Sequence, residues 1–333
     1  MNVLFLVPAV LLAVLILPRV TAETIFLSNL TIEEKLGQLV IVRGLPSDAM
    51  QALRPGGIFL DGLQTREEYE TAISVWQSHS PLRLLVATDM EGYWNPFPFY
   101  DSSSFGDIDT ALAAEELGRE HGTLLRDMGF TINFSPVVDR AAAFWPGRSF
   151  SGSVAERREK IAAYIRGVQQ EGIMATAKHY PGGALARDPH RSFAHVTVSN
   201  EDLEFFSAAE NASAIMVGHA IARGALSTNG KQASVSPEAV KNLRENFNGL
   251  IISDDVSMLG LRFSYFFNSG RMYVDVIKAG NDIVLDSGRR STAARVARGI
   301  AALKRAVESG DISEKEIDEH LTRVLMAKGY IVA

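Results

Sequence analysis

The 333-residue chain contains no cysteine. Disulfides, thiolate zinc sites, a cysteine nucleophile and a lipid-modified cysteine are thereby excluded. No block of lysine and arginine stands out and the formal net charge is -6. That argues against nucleic acid as a partner, since phosphate binding needs a basic face. There is no HExxH and no pair of histidines at i, i+4, so no zinc pattern is met. No GxGxxG or GxxxxGK[ST] follows an apolar run either, which removes the dinucleotide and phosphate-loop fingerprints. No metal and no cofactor are therefore expected.

Long apolar runs are absent but for one, Val3 to Leu17, followed by Pro18, Arg19 and Val20-Thr21-Ala22. The run is short for a membrane span, which needs about 20 apolar residues. It reads as a signal-peptide core with a small-residue cleavage site after Ala22, giving residues 1–22 as a signal peptide or membrane anchor. The expectation is export to a periplasmic or extracellular location, with membrane association through residues 3–17 as the variant. A buried helix is the remaining option. Against the export reading stands the position of Arg19, which comes after the run instead of before it.

The rest is ordinary globular material, 47% apolar and 22% charged. It is arranged in a persistent rhythm. Thr31 with Glu34 three residues on reads as a helix start. Short apolar runs then recur at Leu39–Val42, Gly57–Leu60, Leu84–Thr88, Phe130–Phe134, Met174–Ala177, Ala214–Val217, Leu250–Ile252 and Asp282–Leu285. Helical periodicity fills most of the gaps: Arg66–His79, Asp109–Met128, Val154–Glu171, Glu201–Asn211, Pro237–Asn246 and Arg290–Glu308. The tail after Ser313 reads as a last amphipathic helix. Continuous rather than alternating apolar strands mark a parallel sheet buried on both faces. Eight of them alternating with helices fit an α/β chain with a single (β/α)8 TIM barrel, for which ~250 residues is typical. A doubly wound open sheet is the competing architecture, which periodicity alone does not separate. The barrel is favoured because nearly every strand ends in polar residues at its carboxyl side, where barrel active sites are built. Residues 23–333 then form one domain.

The stretch Met174–His190 is poor packing material, with Lys178 and His179 at a strand end and Asp188 and His190 beyond a Pro-Gly-Gly loop. Loops that carry such side chains on a rigid scaffold are where binding and catalysis usually sit. Lys178 and His179 could be buried and paired, or aimed at ligand hydroxyls. Asp188 two residues before His190 could fix its tautomer, or both could lie in a solvated loop. Asp254 and Asp255 end the seventh run. Alternation lets one of them face the barrel mouth while the other caps the next segment. The inward carboxylate could be a metal ligand, a base or a nucleophile, and the plain alternative is a helix-start pair. Asp89 is either a turn-former or an acceptor from vicinal sugar hydroxyls. Arg148 in a Gly/Ser-rich loop reads as solvated, and His219 as a satisfied core histidine. His79, His121 and His320 fall on helices and carry no assignment.

Taken together, six segments resemble glycoside hydrolase family 3, in particular its bacterial β-N-acetylglucosaminidase branch. They are Thr31–Val42, Asp89-Met90-Glu91-Gly92, Asn133–Asp139 with Arg148-Ser149-Phe150, Lys178–Gly182 with Asp188-Pro189-His190, Ala233–Pro237, and Ile252–Met258. The resemblance covers the family's barrel domain, and its Asp-x-His pair separates this branch from the family's glucosidases. It implies Asp254 as the nucleophile of a retaining exo-β-N-acetylglucosaminidase and His190, oriented by Asp188, as general acid and base. Asp89, Arg148, Lys178 and His179 are then the contacts to the sugar in the -1 subsite. An unperturbed imidazole titrates at ~6.5, which suits proton donation near neutrality. The implied partners are oligosaccharides or muropeptides: terminal β-linked N-acetylglucosamine of peptidoglycan fragments or chitooligosaccharides. Three motifs depart from the family's pattern. The acidic loop continues Tyr93-Trp94-Asn95 without an arginine, the glycine loop reads Pro181-Gly182-Gly183-Ala184-Leu185 without its histidine, and Pro189 stands inside the Asp-x-His pair. Tyr93 and Trp94 are a candidate stacking platform for a sugar ring. A β-glucosidase-like glycosidase, a glycoside phosphorylase and a sugar-binding barrel without catalysis are the alternatives.

Overall fold

The computed structural model describes residues 23–333 apart from Pro46, Tyr93, 141–144, Pro146, 186–187, Pro189 and Arg290. The expected leader, Tyr93 of the aromatic pair and Pro189 of the Asp-x-His motif thus lie outside the described residues.

Eight parallel strands form one sheet: Val40–Arg43, Gly57–Phe59, Leu85–Thr88, Ile132–Asn133, Met174–Tyr180, Ala214–Val217, Leu250–Ser253 and Val284–Asp286. Each lies beside its neighbour in sequence, and the eighth lies beside the first. A parallel bridge between Ile252 and Ile283 joins the seventh to the eighth. There the Ser253 N–H donates to the Ile283 carbonyl at 3.0 Å and the Val256 N–H to Leu285 at 2.9 Å. The sheet therefore closes on itself, and the open doubly wound alternative is set aside. Every residue of the third, sixth and seventh strands is buried, as a strand covered on both faces requires.

The connecting helices start where local chemistry starts them. Thr31 accepts from the Glu34 N–H while the Glu34 carboxylate returns to the Thr31 N–H, opening Ile32–Gln38. The same reciprocal box opens Arg66–Ser78, Val154–Gln170 and Asn200–Ala208. Each cap of this kind contributes about 1 kcal/mol. Helices Ala111–Met128 and Val154–Gln170 cross closely because Gly118 and Gly167 meet there. A Cβ on Gly118 would come within 2.4 Å of the Tyr164 carbonyl oxygen, and one on Gly167 within 2.2 Å of that of Glu115.

Several elements were not expected, two of them beside the barrel mouth or the last strands. Helix Ser269–Ala279 lies between the seventh and eighth strands, opened by Asn268 and ended at Gly280 with φ 110°. Its buried face is Met272, Tyr273, Val274, Val276, Ile277 and Ala279, rich in β-branched and aromatic types that favour strands locally. A parallel pair outside the barrel, His195–Val198 with Ile221–Gly224, fastens the long loop after the fifth strand to the loop after the sixth. The expected tail helix is present as Glu314–Ala327. No helix among the described residues is long and apolar enough to cross a membrane.

Candidate active site

At the carboxyl ends of the strands lies a cavity of about 570 Å³ lined by Asp89, Arg148, Lys178, His179, Asp188, His190 and Asp254 among others. All seven residues singled out from the sequence therefore share one cavity, although they come from the ends of several strands and the loops beyond them.

Its deepest wall is a quartet of charges. Lys178, 2% exposed, reaches from the fifth strand to Asp89 Oδ1 and Glu91 Oε1, both at 2.5 Å. Arg148 grips Glu91 with two hydrogen bonds, Nε to Oε2 at 2.6 Å and Nη2 to Oε1 at 2.9 Å. The two cations and the Glu91 carboxylate hold one another ionised in a place where none would be charged alone. Burial opposes charge on Glu91, but Arg148 and Lys178 outweigh it and hold its carboxyl well below the usual carboxylate range. Burial likewise opposes charge on Lys178 and Arg148, and the neighbouring carboxylates raise both above their ordinary values. Asp89 differs. Burial pushes it above the ordinary value against the pull of Lys178, and its side chain keeps 31% exposure towards the cavity. Arg148, solvated on its loop context alone and a sugar contact by the resemblance, is held by Glu91, lines the cavity and stacks over the Trp145 ring at 4.5 Å.

His179 sits beside this quartet. Its backbone N–H donates to Asp139 Oδ1 at 2.9 Å and its Nδ1 pairs with Asp139 Oδ2 at 2.8 Å. The carboxylate places the ring proton on Nδ1, which leaves Nε2 as the atom available to a ligand. Glu91 and Asp139 lie within the family-like motifs, yet the sequence assigned them no role of their own. Two carboxylates spaced i, i+2 at a strand end, as Asp89 and Glu91 are, share a face, and that spacing was the signal available. Asp139 lies 40 residues from its histidine and offered none.

The two acids after the seventh strand have separate fates. Asp254 accepts a hydrogen bond from the Asp255 N–H at 2.8 Å and is 9% exposed. Burial would raise its pKa, yet His179, His219 and His190 around it bring it below the ordinary value, so it stands as a carboxylate. Asp255 turns away to cap. Its Oδ1 accepts from the N–H groups of Ser257 (2.8 Å) and Ser287 (3.3 Å), and its Oδ2 from the Ser257 hydroxyl (2.8 Å). Burial and the nearby Asp286 push Asp255 up to about 7. His219 is satisfied on both nitrogens, by the Ser234 hydroxyl at 2.8 Å and by the Asp255 carbonyl at 3.0 Å.

Opposite, on the loop after the fifth strand, Asp188 Oδ1 accepts from both the backbone N–H and the Nδ1 of His190, each at 2.8 Å. The carboxylate thereby fixes the ring and leaves Nε2 free of that bond. The rim carries Trp94, 58% exposed, and Trp145. From the first and second strands come Arg43 and Asp61, paired at 2.5 Å, with Arg43 also donating to the Ser287 carbonyl at 3.1 Å. No group of three or more His, Cys, Asp or Glu among the described residues is arranged to hold a metal ion. Chemically, the cavity offers an ionised carboxylate with open acceptor positions in Asp254, an exposed imidazole held by Asp188 in His190, and a fixed set of charged donors and acceptors suited to hydroxyl groups.

The glycosyl hydrolase family 3 N terminal domain matches residues 31–327. A β-N-acetylglucosaminidase/β-glucosidase of Cellulomonas fimi is 26% identical over 332 residues, covering 89% of this chain and 57% of that protein. The β-hexosaminidase LpqI of Mycobacterium tuberculosis is 27% identical over 345 residues, covering 94% of this chain and 87% of LpqI. Among solved structures, a family 3 β-N-acetylglucosaminidase from Paenibacillus superposes with a TM-score of 0.81 at 26% identity. That match covers 90% of this chain and 62% of that one. The chain thus spans little more than half the length of the Cellulomonas relative and most of LpqI.

Proposed function

The chain belongs to glycosyl hydrolase family 3, and from that premise we propose that it is a retaining exo-β-N-acetylglucosaminidase acting on terminal β-linked N-acetylglucosamine of peptidoglycan fragments or chitooligosaccharides. The observation that carries the reading is that an ionised Asp254 and the Asp188–His190 pair line one cavity together with the Asp89–Lys178–Glu91–Arg148 quartet. A retaining glycosidase needs a carboxylate on one face of the anomeric carbon and a proton donor near the leaving oxygen. The names of the Cellulomonas, Mycobacterium and Paenibacillus relatives support the amino-sugar specificity.

In the first step an Asp254 oxygen bonds to the anomeric carbon as the bond to the leaving oxygen breaks. His190 Nε2 gives its proton to that oxygen, and a covalent glycosyl-aspartate results. In the second, water attacks the same carbon, its proton passes to His190, and the Asp254 carboxylate departs. Asp188 holds Nδ1 throughout, so the proton is exchanged at Nε2. Asp89, Lys178, Arg148 and the Nε2 of His179 take the sugar hydroxyls.

Wild type should release nitrophenol from its β-N-acetylglucosaminide, and Asp254→Ala should abolish this. A wild type that binds sugar but turns over no β-glycoside would reduce the chain to a sugar-binding barrel. A screen of nitrophenyl glycosides, with and without phosphate, separates the glucosidase and phosphorylase alternatives. His190→Ala should slow disaccharides more than nitrophenyl substrates, because a good leaving group needs little protonation. Equal losses on both would remove His190 from the acid role. Export with cleavage after Ala22 belongs to the same proposal, and mass spectrometry of the mature amino terminus tests it.

A further inference from the structure

His190 is the most exposed of the candidate reacting groups, its side chain 55% accessible, and its Nδ1 is bonded to Asp188. The Asp188 bond fixes Nδ1 and leaves the tilt of the ring about that bond to a second contact. That contact comes from another loop. Trp145, from the segment after the fourth strand, meets the His190 ring edge-to-face, with centroids 5.8 Å apart and planes at 82°. The same indole lies beneath the Arg148 guanidinium at 4.5 Å, and Arg148 is held by both oxygens of Glu91. A continuous path therefore leads from the buried quartet to the exposed imidazole. On the far side, Phe193 of the same loop rests against Phe263, with ring centroids 5.8 Å apart.

We propose that Trp145 is the positioning residue for His190, an indole fixed by Arg148 that sets the direction of the imidazole over the cavity. This deepens the glycosidase reading for kinetics, while the contact itself is independent of it. The other groups facing His190 are Asp188 on its own loop, with Arg191 3.6 Å from that carboxylate, and Asp254 and His219 across the cavity. None of them can replace an edge-to-face ring contact. The device also couples the two sides of the reaction. A sugar that engages Arg148 through the quartet acts, by way of the indole, on the group that must protonate its aglycone.

Two measurements test this. An imidazolium in contact with an indole quenches its emission more than a neutral imidazole does. Of the three tryptophans, Trp76 is buried and bonded to the Gly44 carbonyl, and Trp94 stands at the rim. Emission should fall on acidification in wild type, and that component should vanish in both Trp145→Phe and His190→Asn. Its persistence in Trp145→Phe overturns the contact. In kinetics, Trp145→Ala should lower kcat on an N-acetylglucosamine disaccharide roughly tenfold or more, as small misplacements of a reacting group do. KM should change less, nitrophenyl substrates should lose less, and Trp145→Phe should recover part of the loss. Equal losses on both substrates, or a change in KM alone, overturns the positioning role. A wild type without turnover defeats the hydrolase reading, and the fluorescence titration then decides the contact on its own.

Discussion

Asp254 at the mouth of the barrel and Asp282 at its floor are both buried aspartates with cationic or imidazole neighbours, and they are used in opposite ways. Asp282 precedes the eighth strand. Its Oδ1 accepts from His320 Nδ1 at 2.9 Å and Arg323 Nε at 2.7 Å, and its Oδ2 from Arg244 at 2.6 Å and the Ile251 N–H at 2.9 Å. Every acceptor position is filled, and the group is 0% exposed. Asp254 takes one backbone N–H from its own neighbour and is otherwise held ionised through space by histidines. The floor consumes its carboxylate in structure, whereas the mouth keeps one charged and uncommitted. Burial and a lowered pKa are common to both, so neither marks a reactive group. The unfilled acceptor positions and the cavity in front of them do.

The comparison can be broken most decisively by exchanging the two losses. With Asp254 as the proposed nucleophile, Asp254→Asn should cost at least about a thousandfold in kcat/KM, with melting temperature nearly unchanged. Asp282→Asn should do the reverse. It leaves Arg244 and Arg323 without their anion and destabilises by about 3–5 kcal/mol, read by thermal melting, while the surviving folded fraction keeps its turnover. If Asp282→Asn lost activity without losing stability, the distinction would collapse. The quartet stands between these extremes. Glu91→Gln removes the shared anion of Arg148 and Lys178, and both KM and melting temperature should suffer. Because the Glu91 pKa is lower folded than unfolded, the unfolded chain binds more protons below about 4.5. Its stabilisation is present above that pH and fades as acid is added, so Glu91→Gln should flatten the acid limb of a stability–pH curve.

The last test returns to the floor. Lys328 is buried with Gln38 as its partner at 2.6 Å, and burial lowers its pKa to about 7 from 10.5. Between those values the unfolded chain holds the proton that the folded chain has shed, so stability should rise with pH across that window. Lys328→Met should remove the slope. A slope that survives assigns it elsewhere.

How much of the molecule was legible beforehand depends on range. The eight strands could be read because strands covered on both faces must be apolar along their length. The mouth was visible because polar residues such as Lys178 and Asp254 end those runs. Helix Ser269–Ala279 was hidden by Tyr273, Val274, Val276 and Ile277, whose local preferences the tertiary packing overrides. The pairs that define the electrostatics join residues 40 and 57 positions apart, His179 with Asp139 and Arg148 with Glu91. No spacing rule reaches that far. The indole–imidazole contact, between Trp145 and His190, is of the same kind.

The parallel pairing of Thr24–Ile25 with Ile331–Val332 has a geometric corollary. Tyr330 and Lys328 beside it bond to Arg83 and Gln38, which lead into the third and first strands. Both ends of the described chain are thus stitched together on the side away from the aperture. A carrier fused after Ala333 would leave from that side and should not cover the cavity.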